Sequence, residues 1–210
     1  VPPLSSTTTN DPLVLQELRV LDPEPLSPHL PAVAQALAAE LDAAGFSADG
    51  VAAHLGPEAT EALYRREPGV VLAACSDDAR LSRLIRFFLL RRPATAEALG
   101  DMLTPKLALS LIDDHLVLPV ADSSTYRIAV DVRPHVVAGK PRLVLSDLDA
   151  SMTDHVPGRD HVLGVGSASL SLLSATPCTP VDSVLDLGTG SGIQALAQAD
   201  AATRVVATDV

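Results

Sequence analysis

The chain has 210 residues, no tryptophan, two tyrosines, three phenylalanines and a formal net charge of −11. With so few rings the core has to be built from Leu, Val and Ala, and so negative a total excludes a general nucleic-acid-coating protein, because phosphate binding needs a positive surface. The charge is uneven: residues 1–78 carry twelve acids against three bases, residues 79–150 ten bases against eight acids, and residues 151–210 two bases against six acids, so any polyanion contact is expected in the middle third.

Residues 1–27 are rich in Pro, Ser and Thr and read as an arm, with a short helix or strand at Leu13–Leu21. From Pro28 to Ala44 the apolar positions Val33, Leu37 and Leu41 fall on one helical face, and Gly45 is placed to end that helix. Ser47 caps a short helix to Leu55. Gly56-Pro57 breaks the chain before a further helix at Glu58–Arg66, which Pro68 ends, and Val70–Cys75 is a helical turn or short helix. Asp77 or Asp78 is expected to cap a helix through Leu81, Leu84, Ile85, Phe88 and Leu89, stopped by Arg91-Arg92-Pro93.

Thr95 caps a short helix over Ala96–Met102, and Thr104 with Pro105 at the first helical position starts another to Asp113 or Asp114. His115–Val120 and Tyr126–Val132 are β-rich runs joined by Ala-Asp-Ser-Ser-Thr and read as a hairpin. Helix, short helix, helix and hairpin is the order of a winged helix, an order that other small α+β domains share. Arg142–Leu148 is one more short strand, Met152–Arg159 a polar link, and Ala168–Leu173 part of a helix. Pro177 and Pro180 mark the entry to a different kind of unit.

That unit reads Val181-Asp-Ser-Val-Leu-Asp-Leu-Gly-Thr-Gly-Ser-Gly-Ile-Gln-Ala-Leu-Ala-Gln-Ala and then Thr203-Arg-Val-Val-Ala-Thr-Asp-Val210. Val184–Leu187 is a short apolar strand, Gly188, Gly190 and Gly192 follow at alternate positions, Ile193–Ala199 has helical composition, and Val205–Thr208 is a second strand ending at Asp209. Strand, glycine turn, helix, strand is half of a doubly wound sheet. The glycines permit positive φ and the close approach of a ligand. The helix N-terminus beyond them offers free N–H groups. Asp209 lies 21 residues after Gly188, close to the spacing of about 20 at which an acid accepts the ribose hydroxyls of an adenosine moiety.

The loop order discriminates between ligands. A dinucleotide fingerprint is G-x-G-x-x-G, whereas this loop is Asp-x-Gly-x-Gly-x-Gly, with Asp186 in the strand before it. An acid there suits the ammonium group of a methionine moiety and suits a pyrophosphate badly. Val-Leu-Asp-Leu-Gly-Thr-Gly-Ser-Gly resembles motif I of the class I S-adenosylmethionine-dependent methyltransferases, most of all the subgroup of release-factor glutamine and small-subunit rRNA guanine N-methyltransferases. The resemblance covers residues 181–210. It implies S-adenosyl-L-methionine as cofactor, with Asp186 near the methionine amine, Gly188, Thr189, Gly190 and Gly192 forming the loop surface, and Asp209 on the ribose. It further implies methylation of a nitrogen on an RNA base (rRNA or tRNA) or a protein side-chain amide, and a catalytic Asn-Pro-Pro-Tyr-like motif expected beyond Val210. The layout ahead of the loop also resembles a group of uncharacterised actinobacterial methyltransferases.

The expected fold class is therefore mixed: a mainly α-helical N-terminal domain with a winged-helix-like part, followed by the start of a Rossmann-like α/β methyltransferase domain. The expected divisions are an arm (1–27), a helical and winged-helix-like recognition domain (28–150), a linker and pre-motif segment (151–180), and the first β-α-β of the catalytic domain (181–210). Two parallel strands with one helix do not complete a sheet, because parallel sheets need both faces covered. A non-catalytic winged-helix module that binds protein or nucleic acid is the alternative.

Three other features bear on partners. Arg80, Arg83 and Arg86 lie near one helical face and form either a phosphate-contacting surface or a solvated face paired with the acidic first region. Leu163-Gly-Val-Gly-Ser-Ala-Ser is either a second ligand loop or a glycine-rich linker. His155 and His161, beside Asp154 and Asp160, lack a third ligand at useful spacing, so no metal is expected. Cys75 and Cys178 form no CxxC pair and are expected to be reduced thiols, in keeping with a cytoplasmic location. No segment has the roughly 18 continuous apolar residues of a membrane span, and the opening Val-Pro-Pro-Leu-Ser-Ser lacks the pattern of a signal peptide.

Overall fold

The spacing of Val33, Leu37 and Leu41 becomes the buried stripe of helix α1 (Leu30–Ala43) in the computed structural model, which describes residues 29–148 and 161–209. The expected arm over 1–27 and the polar link Met152–Arg159 lie outside the described residues. Helix α1 ends as Gly45 predicts. With φ at +74°, Gly45 donates to Asp42 O at 2.9 Å while Phe46 donates to Leu41 O at 2.8 Å, the paired closure of a Schellman motif. Ser47 Oγ then accepts the Gly50 N–H at 3.0 Å and starts α2 (Ala48–Tyr64), which Gly56, at φ 73° and ψ 172°, interrupts before Pro57. Helix α3 (Pro68–Ala74) follows.

The next helix departs from expectation at both ends. Helix α4 (Arg80–Leu84) has Ala79 at its N-cap with no side-chain capping bond, and Asp77 instead accepts the N–H of Ala79 at 3.2 Å, one step ahead of the helix. Past Leu84 the helix widens into a π turn over Ile85–Leu89, in which Leu90 donates to Ile85 O at 3.1 Å. The reason lies in the sequence. Ile85, Phe87, Phe88, Leu89 and Leu90 are all buried, more consecutive apolar positions than one stripe of a regular α-helix accommodates, and the wider turn re-aims them into the core. All three phenylalanines meet here, with ring centroids 5.8 Å apart for Phe46–Phe88 and 5.1 Å for Phe87–Phe88.

Strand β1 (Ala94–Thr95) leads to α5 (Ala96–Met102), capped by Thr95 Oγ on the Ala98 N–H at 3.2 Å, and α6 (Pro105–Asp113), capped by Thr104 Oγ on the Leu107 N–H at 3.2 Å. Both caps stand where the sequence places them. Strands β2 (Val117–Pro119) and β3 (Thr125–Ile128) form the expected hairpin, and β1 adds to it, giving an antiparallel sheet of order β1-β3-β2.

The run Tyr126–Val132 is not one strand. β3 ends at Ile128, and Asp131 opens a separate hairpin of β4 (Asp131–Val137) and β5 (Lys140–Ser146), paired from Asp131↔Ser146 to Val137↔Lys140. Its two-residue turn, Ala138-Gly139, has φ of 50° and 76°, the double positive φ that a tight hairpin requires. At the hairpin's base Val132 enters the main core, and Asp131 sits 3.7 Å from Arg91 and 2.7 Å from Arg133 Nε, with Arg91 and Asp131 almost wholly buried. At its tip Val137 belongs to a second, smaller core with Ile193 and Ala197.

Helix α7 (Ser167–Ala175) precedes the terminal unit of β6 (Val181–Leu187), α8 (Ile193–Gln198) and β7 (Ala202–Thr208). β6 and β7 are parallel, with Val184 opposite Val205 and Asp186 opposite Ala207. The architecture is mixed helix and sheet, with two small antiparallel sheets and this parallel pair among the described residues.

Candidate cofactor-binding site

The glycine loop lies where β6 gives way to α8, and the residues expected to bind the cofactor, Asp186, Gly188, Thr189, Gly190, Gly192 and Asp209, come together there. Gly188, Gly190 and Gly192 all have positive φ, at 69°, 50° and 76°. At none of the three would an added Cβ come within 4 Å of another atom. The glycines are therefore required by backbone conformation rather than by crowding, and the space above them is open to a ligand.

Six hydrogen bonds hold the loop. The N–H groups of Gly188 and Thr189 both donate to Thr208 O, at 2.9 and 3.0 Å, hanging the loop on the end of β7. Asp209 Oδ2 accepts the Gly190 N–H at 2.5 Å. Asp186 Oδ2 accepts the Thr189 hydroxyl at 2.7 Å and the Ala195 N–H at 3.1 Å. Gly192 donates to Thr189 O at 2.9 Å and closes the turn into α8. Thus Asp186 and Asp209 grip the loop from its two flanking strands. Since Gly192 stands at the N-cap of α8 and has no side chain, Asp186 supplies the capping oxygen from the preceding strand. Both bonds of Asp186 fall on Oδ2, and a carboxylate has acceptor sites on both oxygens. Asp186 is half-buried and Asp209 exposed. The arrangement can present an acid to a cation beside the loop and a second acid to hydroxyls at the strand end.

Some partners of this site carry no sequence signal. Helix α8 is fastened from outside by Val137 of the β4–β5 hairpin and by Asp200, which pairs with Lys140 Nζ at 2.9 Å and Arg142 Nη2 at 2.9 Å. The two cations hold the Asp200 carboxyl below its usual range, Lys140 foremost. Gln194 and Gln198 donate from α8 to Ser169 O at 2.9 Å and Pro177 O at 3.1 Å, binding it to the segment ahead of β6.

Arg80 and Arg86 of the middle third make bonds within the fold. Arg80 donates from Nε to Met102 O at 2.8 Å and from Nη2 to Glu40 at 2.5 Å, joining α4 to α1 and to the end of α5. Arg86 donates to Cys75 O at 2.5 Å and to Asp77 O at 2.9 Å, closing the α3–α4 connection. Arg83 has its Nε buried. Arg80, on Glu40, has the pairing with the acidic first region that the sequence offered as the alternative, and Arg86 is engaged with backbone carbonyls; phosphate contact through Arg80, Arg83 and Arg86 stays an expectation.

Of the pre-motif glycines, Gly164 is packed against the fold, while a Cβ on Gly166 would meet nothing within 4 Å. A Cβ on Gly164 would lie 3.1 Å from Ser146 Oγ, so this glycine admits the chain against β5. Val162 donates to Asp147 Oδ2 at 2.8 Å and Asp147 donates back to Val162 O at 3.1 Å, with His161 Nδ1 3.6 Å from the same carboxylate. His155, Asp154 and Asp160 lie outside the described residues, and no group of three potential metal ligands occurs among the described ones. His54 Nε2 lies 2.7 Å from Ser82 Oγ, but Ser82 is fully buried, so the pair ties α2 to α4 and offers no nucleophile. Cys75 is buried, which pushes its thiol up, and Cys178 is exposed; both are free. No helix among the described residues is long and apolar enough to cross a membrane.

Residues 43–128 match a family described as a domain of unknown function (DUF7059). The match runs from the end of α1 to the last residue of β3, and so stops short of both the β4–β5 hairpin and the glycine loop. No curated protein matches the chain.

Proposed function

We propose that the chain carries the cofactor-binding part of an S-adenosyl-L-methionine-dependent methyltransferase of class I, behind a helical recognition domain. One observation carries this reading: a loop of three positive-φ glycines, open above, is gripped by Asp186 from one parallel strand and by Asp209 from the end of the next. In the proposed complex the adenosine ribose meets Asp209, the loop of Gly188, Thr189, Gly190 and Gly192 lies beneath the ligand, and the methionine ammonium approaches Asp186. Beside an acid a cation is favoured and a pyrophosphate disfavoured, which distinguishes this ligand from a dinucleotide. The methyl acceptor of this reading is a nitrogen of an RNA base or of a protein side-chain amide, as the resemblance of the loop implies. The cytoplasm is the compartment that reading implies.

Calorimetric titration of the full chain with S-adenosyl-L-methionine tests the proposal. Binding in the wild type and its loss in Asp209→Ala are expected; equal affinity in the two removes the ribose assignment.

A second reading has its own support. The order α4, β1, α5, α6, β2, β3, with β1 paired to β3, is compatible with a winged helix as with other small α+β domains, and the family match ends with this unit. Arg80 and Arg86 are engaged within the fold, which favours protein over phosphate as the partner in this reading. Pull-down by residues 29–148 of a protein partner, with no gain in RNA affinity, is the outcome expected of an interaction module.

A further inference from the structure

We propose that the β4–β5 hairpin is the positioning element of the glycine loop, with Asp200 as its positioning residue; the inference deepens the cofactor reading above and rests on it for its ligand. The hairpin spans the two cores. Its base contributes Val132 to the main core and Asp131 to the buried contact with Arg91. Its tip contributes Val137, 1% exposed, to the small core with Ile193 and Ala197 of α8. Beside the tip, Lys140 and Arg142 hold the two oxygens of Asp200, in the turn after α8. A single short helix is thus gripped by the hairpin at Ile193 and Ala197 on its face and at Asp200 past its end.

That helix is also the floor of the loop. Ile193 follows Gly192 directly, and Ala195 is the residue whose N–H Asp186 holds. Displacing α8 moves Ala195 from Asp186, and with it the Thr189 hydroxyl that shares the same oxygen. Backbone glycines impose no orientation of their own, so the loop's geometry depends on its bonds to Thr208 O and Asp209 on one side and on where α8 is held on the other. The hairpin fixes that position from the recognition domain. Neither Lys140, Arg142 nor Asp200 touches the loop. They act through α8.

The test uses the full chain and two readouts: affinity for S-adenosyl-L-methionine by calorimetry, and hydrogen exchange of the Gly190, Ala195 and Leu196 amides, each of which is hydrogen-bonded. Asp200→Lys sets like charges against Lys140 and Arg142 and is expected to weaken binding about fivefold and speed those amides by a similar factor, the scale of two exposed ion pairs lost together. The triple variant Lys140→Asp, Arg142→Asp, Asp200→Lys rebuilds the pairs with reversed sign and restores both readouts. Asp200→Asn, which removes charge without repulsion, gives a smaller change in the same direction. Arg65→Glu, which breaks the distant surface pairs with Glu61 and Glu67, leaves both unchanged. Unaltered exchange in Asp200→Lys, or a defect that the triple variant does not repair, overturns the proposal. A wild type that binds no cofactor refutes the cofactor reading instead, and the exchange measurements still decide whether the hairpin positions the loop.

Discussion

Asp186 and Ala195 are nine residues apart and joined by one hydrogen bond of 3.1 Å, from the N–H in the first turn of α8 to the carboxylate of the strand before it. The same oxygen receives the Thr189 hydroxyl at 2.7 Å. The acid expected beside the methionine amine is therefore also the clasp of the loop. Asp186→Ala should lose about 1–2 kcal/mol of stability, the usual cost of removing a capping oxygen. It should weaken adenosine as well as S-adenosyl-L-methionine, since both need the loop. Titration with the two ligands separates the roles: loss confined to the ligand that bears the ammonium group would assign Asp186 to the cation alone.

Arg80 makes two bonds in different directions, to Glu40 and to Met102 O. Lysine keeps the charge but not the fork. Arg80→Lys should therefore lower the urea midpoint, by about 1 kcal/mol in free energy, nearly as much as Arg80→Ala. A phosphate-binding arginine would behave differently, with lysine sustaining RNA affinity and alanine abolishing it. Denaturation and RNA titration of both variants check this.

His135 lies in β4, where burial and then the neighbouring Arg133 guanidinium lower its pKa, against a smaller pull upward from Asp131. A base with a depressed folded pKa is neutral in the folded chain while the unfolded chain takes up a proton near its ordinary value of about 6.5. The stability it confers is fully present above that value. It falls away as the pH drops from about 6.5 toward the depressed folded pKa. His135→Gln should flatten this part of the curve, so urea midpoints of wild type and variant should converge between neutral and mildly acid pH. Parallel curves would show that His135 does not titrate there.

Ala138 occupies the first turn position of the β4–β5 hairpin at φ 50°, a conformation its Cβ disfavours. Asparagine tolerates it better. Ala138→Asn should stabilise the chain by about 0.5–1 kcal/mol, raising the midpoint of thermal unfolding, because the turn is exposed and nothing else need move. A lowered midpoint would show that the turn differs from the double positive-φ form.

Much of the helical region was legible because its signals are local. Ser47, Thr95 and Thr104 cap where their side chains reach an N–H three residues on, and Gly45 ends α1 by adopting positive φ. The β4–β5 hairpin was less legible. The sequence offers a run to Val132 and a strand from Arg142, and the strand residues between them include Pro134 and Pro141, which an isolated two-stranded ribbon tolerates at its edge positions. Its turn, Ala-Gly, lacks the usual Asn-Gly sign. The π turn at Ile85–Leu89 went unread because a regular helix assigns Phe87 to the outside.

The sequence by itself determined the candidate site: Asp186, the three alternating glycines and Asp209 are close along the chain, and a strand-turn-helix-strand unit brings such residues together through its own backbone bonds. Tertiary structure alone decided what holds that unit and where the arginines go. Asp200 meets Lys140 and Arg142 across some sixty intervening positions, and Arg80 meets Glu40 across forty. Charge pairing over such separations depends on which helices pack, and local sequence carries no period or cap that reports it.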